Sequence, residues 1–402
     1  MSITGNPLSE GRSTLLRITT VPISLQLLLK GQFRDMLDNG YNVITISADG
    51  PAVKDVLAEG ARHIAVPLTR QITPFQDLKC LWGLVTIINQ IKPDIIHTHT
   101  PKAGLLGMLA GKICNVPVRM HTVAGLPLME ATGIKRWILE ITEKITYAAA
   151  HKVYPNSLGL RAFMINELKV SPEKIGMIGK GSSNGIDTQY FTATHELKTL
   201  AANVRVQYKI KQDDIVFCFI GRVVKDKGIV ELVTAFKKIS AKRDPNSAHR
   251  NYHLLIVGPF EEELDPLPPD AMRFLREDVR VILAGFQKDI RPWLLASDIF
   301  VFPSYREGFP NVVMQASLLE VPCIVSDING CNEIIEDGVT GLIVPAKDSE
   351  RLAKGMERLV GDHELRKRFG AKARSFVGQN YERKHIWAEI RGEYAALTAR
   401  LR

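Results

Sequence analysis

Two stretches set charged side chains beside glycines in a way that suits a phosphate-bearing ligand. FIGRVVKDKGI, residues 219–229, follows an apolar run and precedes the helical pattern GIVELVTAFKKIS. Gly221 lets the backbone turn. Arg222 and Lys227 then supply a planar fork and a point charge, a pair suited to a diphosphate. A solvated loop with two incidental cations has the same letters. The second stretch, PSYREGFPNVVMQASLL (303–319), also follows an apolar run, DIFVF. Pro310 fits the first position of a helix, where its missing N–H is no loss. Free amides at such a helix start, from about Phe309 to Val312, favour an anion. Asn311 and Gln315 are four apart and share one helix face. Val312, Val313 and Ala316 are set to cover a sheet. Glu307, just outside the helix, is positioned to accept hydrogen bonds from sugar hydroxyls. Its plain alternative is a surface carboxylate paired with Arg306.

Histidines mark two further strand ends, HTHTPKAGLLG (97–107) and RMHTVAG (119–125). His97 and His99 are two apart and face the same side of a strand. A metal pair would need a third ligand at helpful spacing, and none is found; Asp-x-Asp is also absent, so no metal is expected. His121 reads either as a hydrogen-bond partner at a ligand site or as a structural histidine bonded to backbone. GKGSSNG (179–185) misses the G-x-G-x-x-G spacing, and there is no Walker loop. In GIKRWILEITEKITYAAAHK (133–152), Ile134, Ile138, Ile141, Ile145 and Ala148 recur at helical spacing. The plain reading packs this stripe on its own sheet. Trp137 beside Lys135 and Arg136 supports a second reading, a face at a membrane interface.

These residues need strands to carry them. Strand candidates in the first half are LLRITTV, YNVITISA, DIIHTH, VPVRMHT, HKVYPN and KIGMIG. In the second half they are IVFCFIG, YHLLIVG, VRVILAG, DIFVFPS, PCIVSD and GLIVP. Many end in Gly, Pro, Ser or Asp, as buried parallel strands feeding loops do. Alternation with helical patterns predicts two α/β domains with parallel sheets. Ligands of such sheets sit beyond the carboxyl ends of the strands. The polar stretch 184–214 separates the halves, and the boundary is expected near Asp187: one domain over 1–187, a second over 188–383.

Bulk properties agree with a soluble two-domain protein. At 402 residues the chain is too long for one ordinary core. It is 45% hydrophobic and 24% charged, and no run reaches the ~18 apolar residues of a membrane helix. Arg17 and Pro22 interrupt the N-terminal stretch, which reads poorly as a signal peptide. Cys80, Cys114, Cys218, Cys323 and Cys331 are scattered, which suits a reducing cytoplasm. The net charge of +9 is uneven: residues 1–187 hold 20 Lys and Arg against 14 Asp and Glu, the remainder 32 against 29. An anionic membrane or a phosphate-bearing substrate accounts for the basic half, as does ordinary solubility. Without a Lys/Arg run interleaved with aromatics, nucleic acid is not an expected partner.

Taken together, GRVVKDKG, SDIFVFPSYREGFPNVVMQA, VPCIVSDINGCNEII and DGVTGLIVPAKD resemble the retaining glycosyltransferases of family four, over essentially the whole chain. The resemblance implies the GT-B fold, two facing Rossmann-like domains with a central cleft. It also implies that a C-terminal helix of about 384–402 packs back on the first, acceptor-binding domain. TTVPISLQLLLKGQF and HTHTPKAGLLG are similar to bacterial enzymes that extend polyprenyl-diphosphate-linked sugars. The implied donor is a nucleotide-sugar, a UDP-hexose or UDP-N-acetylhexosamine, acting as substrate with no cofactor. The implied acceptor is a lipid-linked saccharide, met in the cytoplasm with peripheral contact at the inner membrane.

By the same resemblance, Gly221, Arg222 and Lys227 hold the donor diphosphate. Glu307 contacts the donor sugar, and Gly308 to Val312, through Phe309, Pro310 and Asn311, meet the sugar and β-phosphate. The segment 283–288, with Phe286, passes the base. His121 lies near the reaction centre; Ser24, His99 and Lys102 join it as acceptor-side candidates. Two positions depart from the family pattern. The loop TTVPISL lacks the glycines expected near the diphosphate, and Gln315 stands where the signature has its second Glu, the ribose contact. A UDP-sugar 2-epimerase or an inactive nucleotide-sugar sensor are the competing readings.

Overall fold

The computed structural model describes residues 3–4, 9–129, 131–241, 251–261, 263 and 265–401. The chain divides into two compact units, residues 1–185 with 383–402, and residues 186–382.

Unit 1 is built on strands β1 (Ile3–Thr4), β2 (Ser13–Ile18), β3 (Tyr41–Ser47), β4 (Arg62–Ala65), β5 (Ile95–His99), β6 (Val118–Val123) and β7 (Lys152–Pro155). Their order is β1-β4-β3-β2-β5-β6-β7, parallel except for β1, which runs antiparallel to β4. The order reverses between β2 and β5, so the loops after these two strands border a crevice. Leu15, Leu16, Ile44, Ile46, Ile95 and Ile96 are almost fully buried, as expected for strands covered on both faces. The C-terminal helix Arg383–Leu401 lies in this unit, where Ile386, Trp387, Ile390 and Tyr394 join a cluster with Leu15, Phe33 and Val118.

Two strand expectations change. KIGMIG is not a strand: Ile175 makes a single parallel bridge to Val153. Gly176 lies under the Tyr154 ring, which leaves no room for a Cβ. RHIA, two polar residues followed by two apolar ones with no strand periodicity, forms β4 instead.

The helix Pro74–Ile91 packs on Pro101–Ile113, which packs on Gly133–Ala149. The last of these corrects the plain reading of the isoleucine stripe. Its buried face carries Glu143, Thr146, Tyr147 and Ala149. Ile134, Ile138, Ile141 and Ile145 face outward, with Ile134 79% exposed.

Unit 2 carries β8 (Ile215–Ile220), β9 (Tyr252–Val257), β10 (Val281–Gly285), β11 (Ile299–Phe302), β12 (Cys323–Ser326) and β13 (Gly341–Val344). All are parallel, in the order β10-β9-β8-β11-β12-β13. Here the reversal falls between β8 and β11. These are the two strands whose following loops carry Lys227 and Glu307.

Candidate active site

The unit 2 site is made by sewing the loop after β8 to the loop after β11. Lys225–Lys227 form a single 3-10 turn closed by Gly228 at φ 71. A side chain at Gly228 would collide with the Pro303 carbonyl, so only glycine lets the two loops touch here. Tyr305 N–H then donates to Asp226 O at 2.8 Å, and Arg306 reaches the Asp226 carboxylate at 3.1 Å. Lys227 Nζ lies 2.6 Å from Glu307 Oε1, and Ser304 Oγ donates to the same oxygen at 3.0 Å. The two charged side chains are 13% and 17% exposed, so the pair stands at a partly dried crevice.

A third loop clamps the second. Asn329 Nδ2 donates to the carbonyls of Glu307 (3.1 Å) and Gly308 (2.9 Å). Gly330, at φ 78, lets the 327–331 turn lie against Gly308, Phe309 and Pro310. Phe309 is buried on Tyr381, ring centroids 5.1 Å apart. The helix that follows spans Asn311–Leu318, with Pro310 as the residue before it and not its first position. Pro310 has φ −78 and ψ 104, extended rather than helical, which moves the start one residue on. Asn311 and Val312 begin a helix whose first amides have no intrahelical acceptor and point ahead of it. Val313, Met314, Ala316, Ser317 and Leu318 fill the sheet side; Val312 is only half-buried. Asn311 is exposed and Gln315 half-buried one turn on.

Arg222 lies apart from this cluster: its Nη1 meets Glu261 Oε2 at 3.0 Å, and the side chain is 42% exposed. Gly221 N–H donates to Val257 O, which ties the loop to β9. Phe286 follows β10 and is 76% exposed, a free aromatic face at a strand's carboxyl end.

In unit 1, Thr100, Pro101, His121, Thr122, Val123, Ala124, Gly125 and Glu143 line a small pocket at the carboxyl ends of β5 and β6. His121 is 2% exposed, and its Nδ1 is 2.8 Å from Thr98 Oγ1. Gly104 packs against the ring with no space for a Cβ. Burial lowers the His121 pKa to about 4, so the imidazole is neutral near pH 7. Burial also raises the Glu143 carboxyl to about 7, which poises it between acid and carboxylate. Thr100 holds φ 75, a costly backbone for a β-branched residue. Its Oγ1 lies 3.2 Å from Thr20 N and 2.9 Å from Thr20 Oγ1, which pins the glycine-free loop after β2 across the crevice.

The other acceptor-side candidates are committed elsewhere. His99 is 1% exposed, 2.9 Å from Arg17 Nη2, and stacked on His97 at 4.4 Å. His97 Nδ1 and Nε2 meet Tyr394 Oη and Thr122 Oγ1, each at 2.7 Å. The two histidines thus share one strand face, as their spacing requires, inside a hydrogen-bonded core. Lys102 Nζ pairs with Asp77 at 2.7 Å and donates to Thr69, Thr73 and the Gln71 carbonyl. Ser24 is buried on the helix Pro22–Leu28.

Several residues that build these sites are not singled out by the sequence reading. Asn329, Asp226 and Ser304 act on backbone or neighbours, Glu261 pairs across 39 residues, and Glu143 hides in a helix read for its isoleucines.

Residues 201–376 match the family profile "Glycosyl transferases group 1", and 32–181 match "Glycosyl transferase 4-like domain". The chain is 33% identical to the capsular polysaccharide biosynthesis glycosyltransferase CapM of Staphylococcus aureus, over 94% of this chain and 96% of that one. It is 29% identical to an Escherichia coli UDP-Gal:alpha-D-GlcNAc-diphosphoundecaprenol alpha-1,3-galactosyltransferase, over 88% and 91%. Among solved structures, a Rickettsia africae glycosyltransferase superposes with a TM-score of 0.77 at 21% identity, over 96% of this chain and 99% of that one. Anabaena HepE in complex with UDP superposes with a TM-score of 0.76 at 18% identity, over 96% and 100%. The chain belongs to the group 1 glycosyltransferases, with a family-4-like N-terminal domain and the GT-B fold.

Proposed function

We propose that this glycosyltransferase moves a sugar from a UDP-hexose or UDP-N-acetylhexosamine to a polyprenyl-diphosphate-linked saccharide. It keeps the anomeric configuration, uses no metal, and serves surface polysaccharide or glycan assembly on the cytoplasmic side of the membrane. The observation that carries the reading is the Lys227–Glu307 pair at the reversal point of the unit 2 sheet, beside the amides that open the 311–318 helix. A cation and a hydrogen-bond-accepting carboxylate side by side suit a sugar diphosphate: one neutralises phosphate, the other holds sugar hydroxyls. The names of the relatives support the donor and acceptor classes, since the Escherichia coli enzyme uses UDP-Gal and a diphosphoundecaprenol-linked acceptor.

Arg222, Lys227 and the backbone N–H groups of Gly308, Phe309, Asn311 and Val312 stabilise the leaving diphosphate, and such electrostatic stabilisation supplies most of the rate in a transfer of this kind. The departing diphosphate oxygen takes the proton of the attacking acceptor hydroxyl on the same face of the sugar, which preserves configuration. Arg222 must leave Glu261 to reach a phosphate. Phe286 offers a face to the base, and Gln315 bonds a ribose hydroxyl through its amide. Neutral His121 accepts or donates one hydrogen bond in the unit 1 pocket without adding charge.

Release of nucleotide diphosphate from a panel of nucleotide-sugars, with and without lipid-linked acceptor, tests this. Acceptor-dependent release is expected. Release of altered sugar without acceptor supports an epimerase instead, and binding without release supports a sensor.

A further inference from the structure

The helix Gly133–Ala149 is built the wrong way round for a protein surface in water. Polar Glu143, Thr146 and Tyr147 face the interior, while Ile134, Trp137, Ile138, Ile141 and Ile145 face out. The helix Pro74–Ile91 buries an apolar face of Leu84, Val85, Ile87 and Ile88 yet also exposes Phe75, Leu78 and Trp82, of which Phe75 is 87% and Trp82 59% exposed. Ile72, just ahead of it, is 66% exposed. Both helices flank Pro101–Ile113 in one layer of unit 1. Single exposed apolar residues are ordinary; two stripes of them, each with a tryptophan, mark an interaction surface.

The charge on this surface selects the partner. Asp77, Glu140 and Glu143 are the acids of the two helices. Asp77 is paired with Lys102, Glu140 with Lys144, and Glu143 is buried. Arg136 adds a cation that pairs with Glu167 at 3.7 Å. Exposed Lys79 and Lys135 then leave the face positive beside its apolar residues. Apolar side chains, interfacial tryptophans and lysines on one face suit the headgroup layer of an anionic bilayer. No helix among the described residues is long and apolar enough to cross a membrane.

We propose that the outward faces of the 74–91 and 133–149 helices dock unit 1 on the surface of an anionic lipid bilayer. The proposal deepens the lipid-linked reading and rests on it for its purpose. The same 133–149 helix that meets lipid outward presents Glu143 inward to the His121 pocket. A lipid-anchored acceptor is thereby met beside its carrier membrane.

The test compares the full chain with I134E/W137E/I141E and, separately, F75E/W82E. Flotation with phosphatidylethanolamine–phosphatidylglycerol vesicles is measured against pure phosphatidylcholine vesicles. Light scattering reports the oligomeric state, circular dichroism the fold, and transfer to a short-chain water-soluble acceptor the basal activity. The expected result is flotation of the wild type with anionic vesicles only, reduced at least tenfold in each variant. Fold and transfer to the soluble acceptor stay unchanged. Wild-type protein that stays in solution, or variants that float equally, overturns the proposal. So does a wild-type dimer that the variants dissolve without any vesicle binding, which assigns the face to a second copy. Wild type that floats yet transfers sugar to no lipid-linked acceptor refutes the transfer reading and leaves the docking surface standing.

Discussion

Replacing Lys227 by Ala removes the cation that lies 2.6 Å from Glu307. Two costs follow, and they separate. The folding cost is modest. A fully buried pair broken on one side loses about 3–5 kcal/mol. Here the side chains keep 13% and 17% of their exposure, and Ser304 Oγ still donates to Glu307. About 1–2 kcal/mol is therefore expected, which a domain of ordinary stability survives. The catalytic cost is larger. Taking one cationic partner away from the leaving diphosphate raises the barrier by about 2–4 kcal/mol. At about 1.36 kcal/mol per decade, that is a fall of about 30- to 900-fold in kcat. The assay is acceptor-dependent nucleotide diphosphate release by K227A, E307Q and the double variant, with thermal melts as the folding control. If Lys227 binds phosphate directly, its removal costs the same decades in the E307Q background. Near-normal kcat in K227A refutes the assignment. A loss that vanishes once Glu307 is Gln shows that Lys227 merely holds Glu307.

Other outcomes follow from the same arrangement. Asn329→Ala deletes two hydrogen bonds to the Glu307 and Gly308 carbonyls, and at about 1 kcal/mol each the donor KM is expected to rise about tenfold or more. Gln315→Ala is expected to weaken donor binding by about 1 kcal/mol, roughly fivefold, in calorimetry, with kcat little changed. Stability should respond to pH with two opposing signs. His121, depressed to about 4, makes the fold lose up to about 3 kcal/mol as pH falls from about 6.5 to 4, because the unfolded chain takes the proton first. His97 and His99, both pushed well below their usual value by burial, add to that slope, and H121Q should flatten it only in part. Glu143 works the other way. Raised to about 7, it costs stability as pH climbs from about 4.5 through 7, so E143Q is expected to melt higher than wild type at pH 8. Chemical denaturation across this range reads both.

The unit 2 sheet was legible because each of its strands is an apolar run closed by Gly, Pro, Ser or Asp, a pattern set by local chemistry. β4 was not, since four residues of mixed polarity carry little signal until β3 pairs with them. The cation and carboxylate of the unit 2 site were legible as types beside glycines, but not their partnership. Lys227 and Glu307 meet across 80 residues, Arg222 and Glu261 across 39. His99 looked like a site residue at a strand end. Arg17 from β2 and Tyr394 from the C-terminal helix turn that strand end into a hydrogen-bonded core, which no local pattern encodes. The isoleucine stripe shows the limit of periodicity. Spacing gives a helix with an apolar face, and the same spacing fits either orientation. Only packing reveals that Glu143 and Tyr147 are inside.

The reaction proposed for this chain is metal-free sugar transfer from a nucleotide-sugar to a lipid-linked acceptor with retention. Proton NMR of the purified chain with UDP-sugar and a polyprenyl-diphosphate-linked acceptor in EDTA tests it most directly. It follows the donor's anomeric signal into product. The expected result is one new glycosidic anomeric signal of the donor's configuration, formed only with acceptor and in step with UDP release. An inverted product, a requirement for added divalent metal, or donor consumption without acceptor contradicts it.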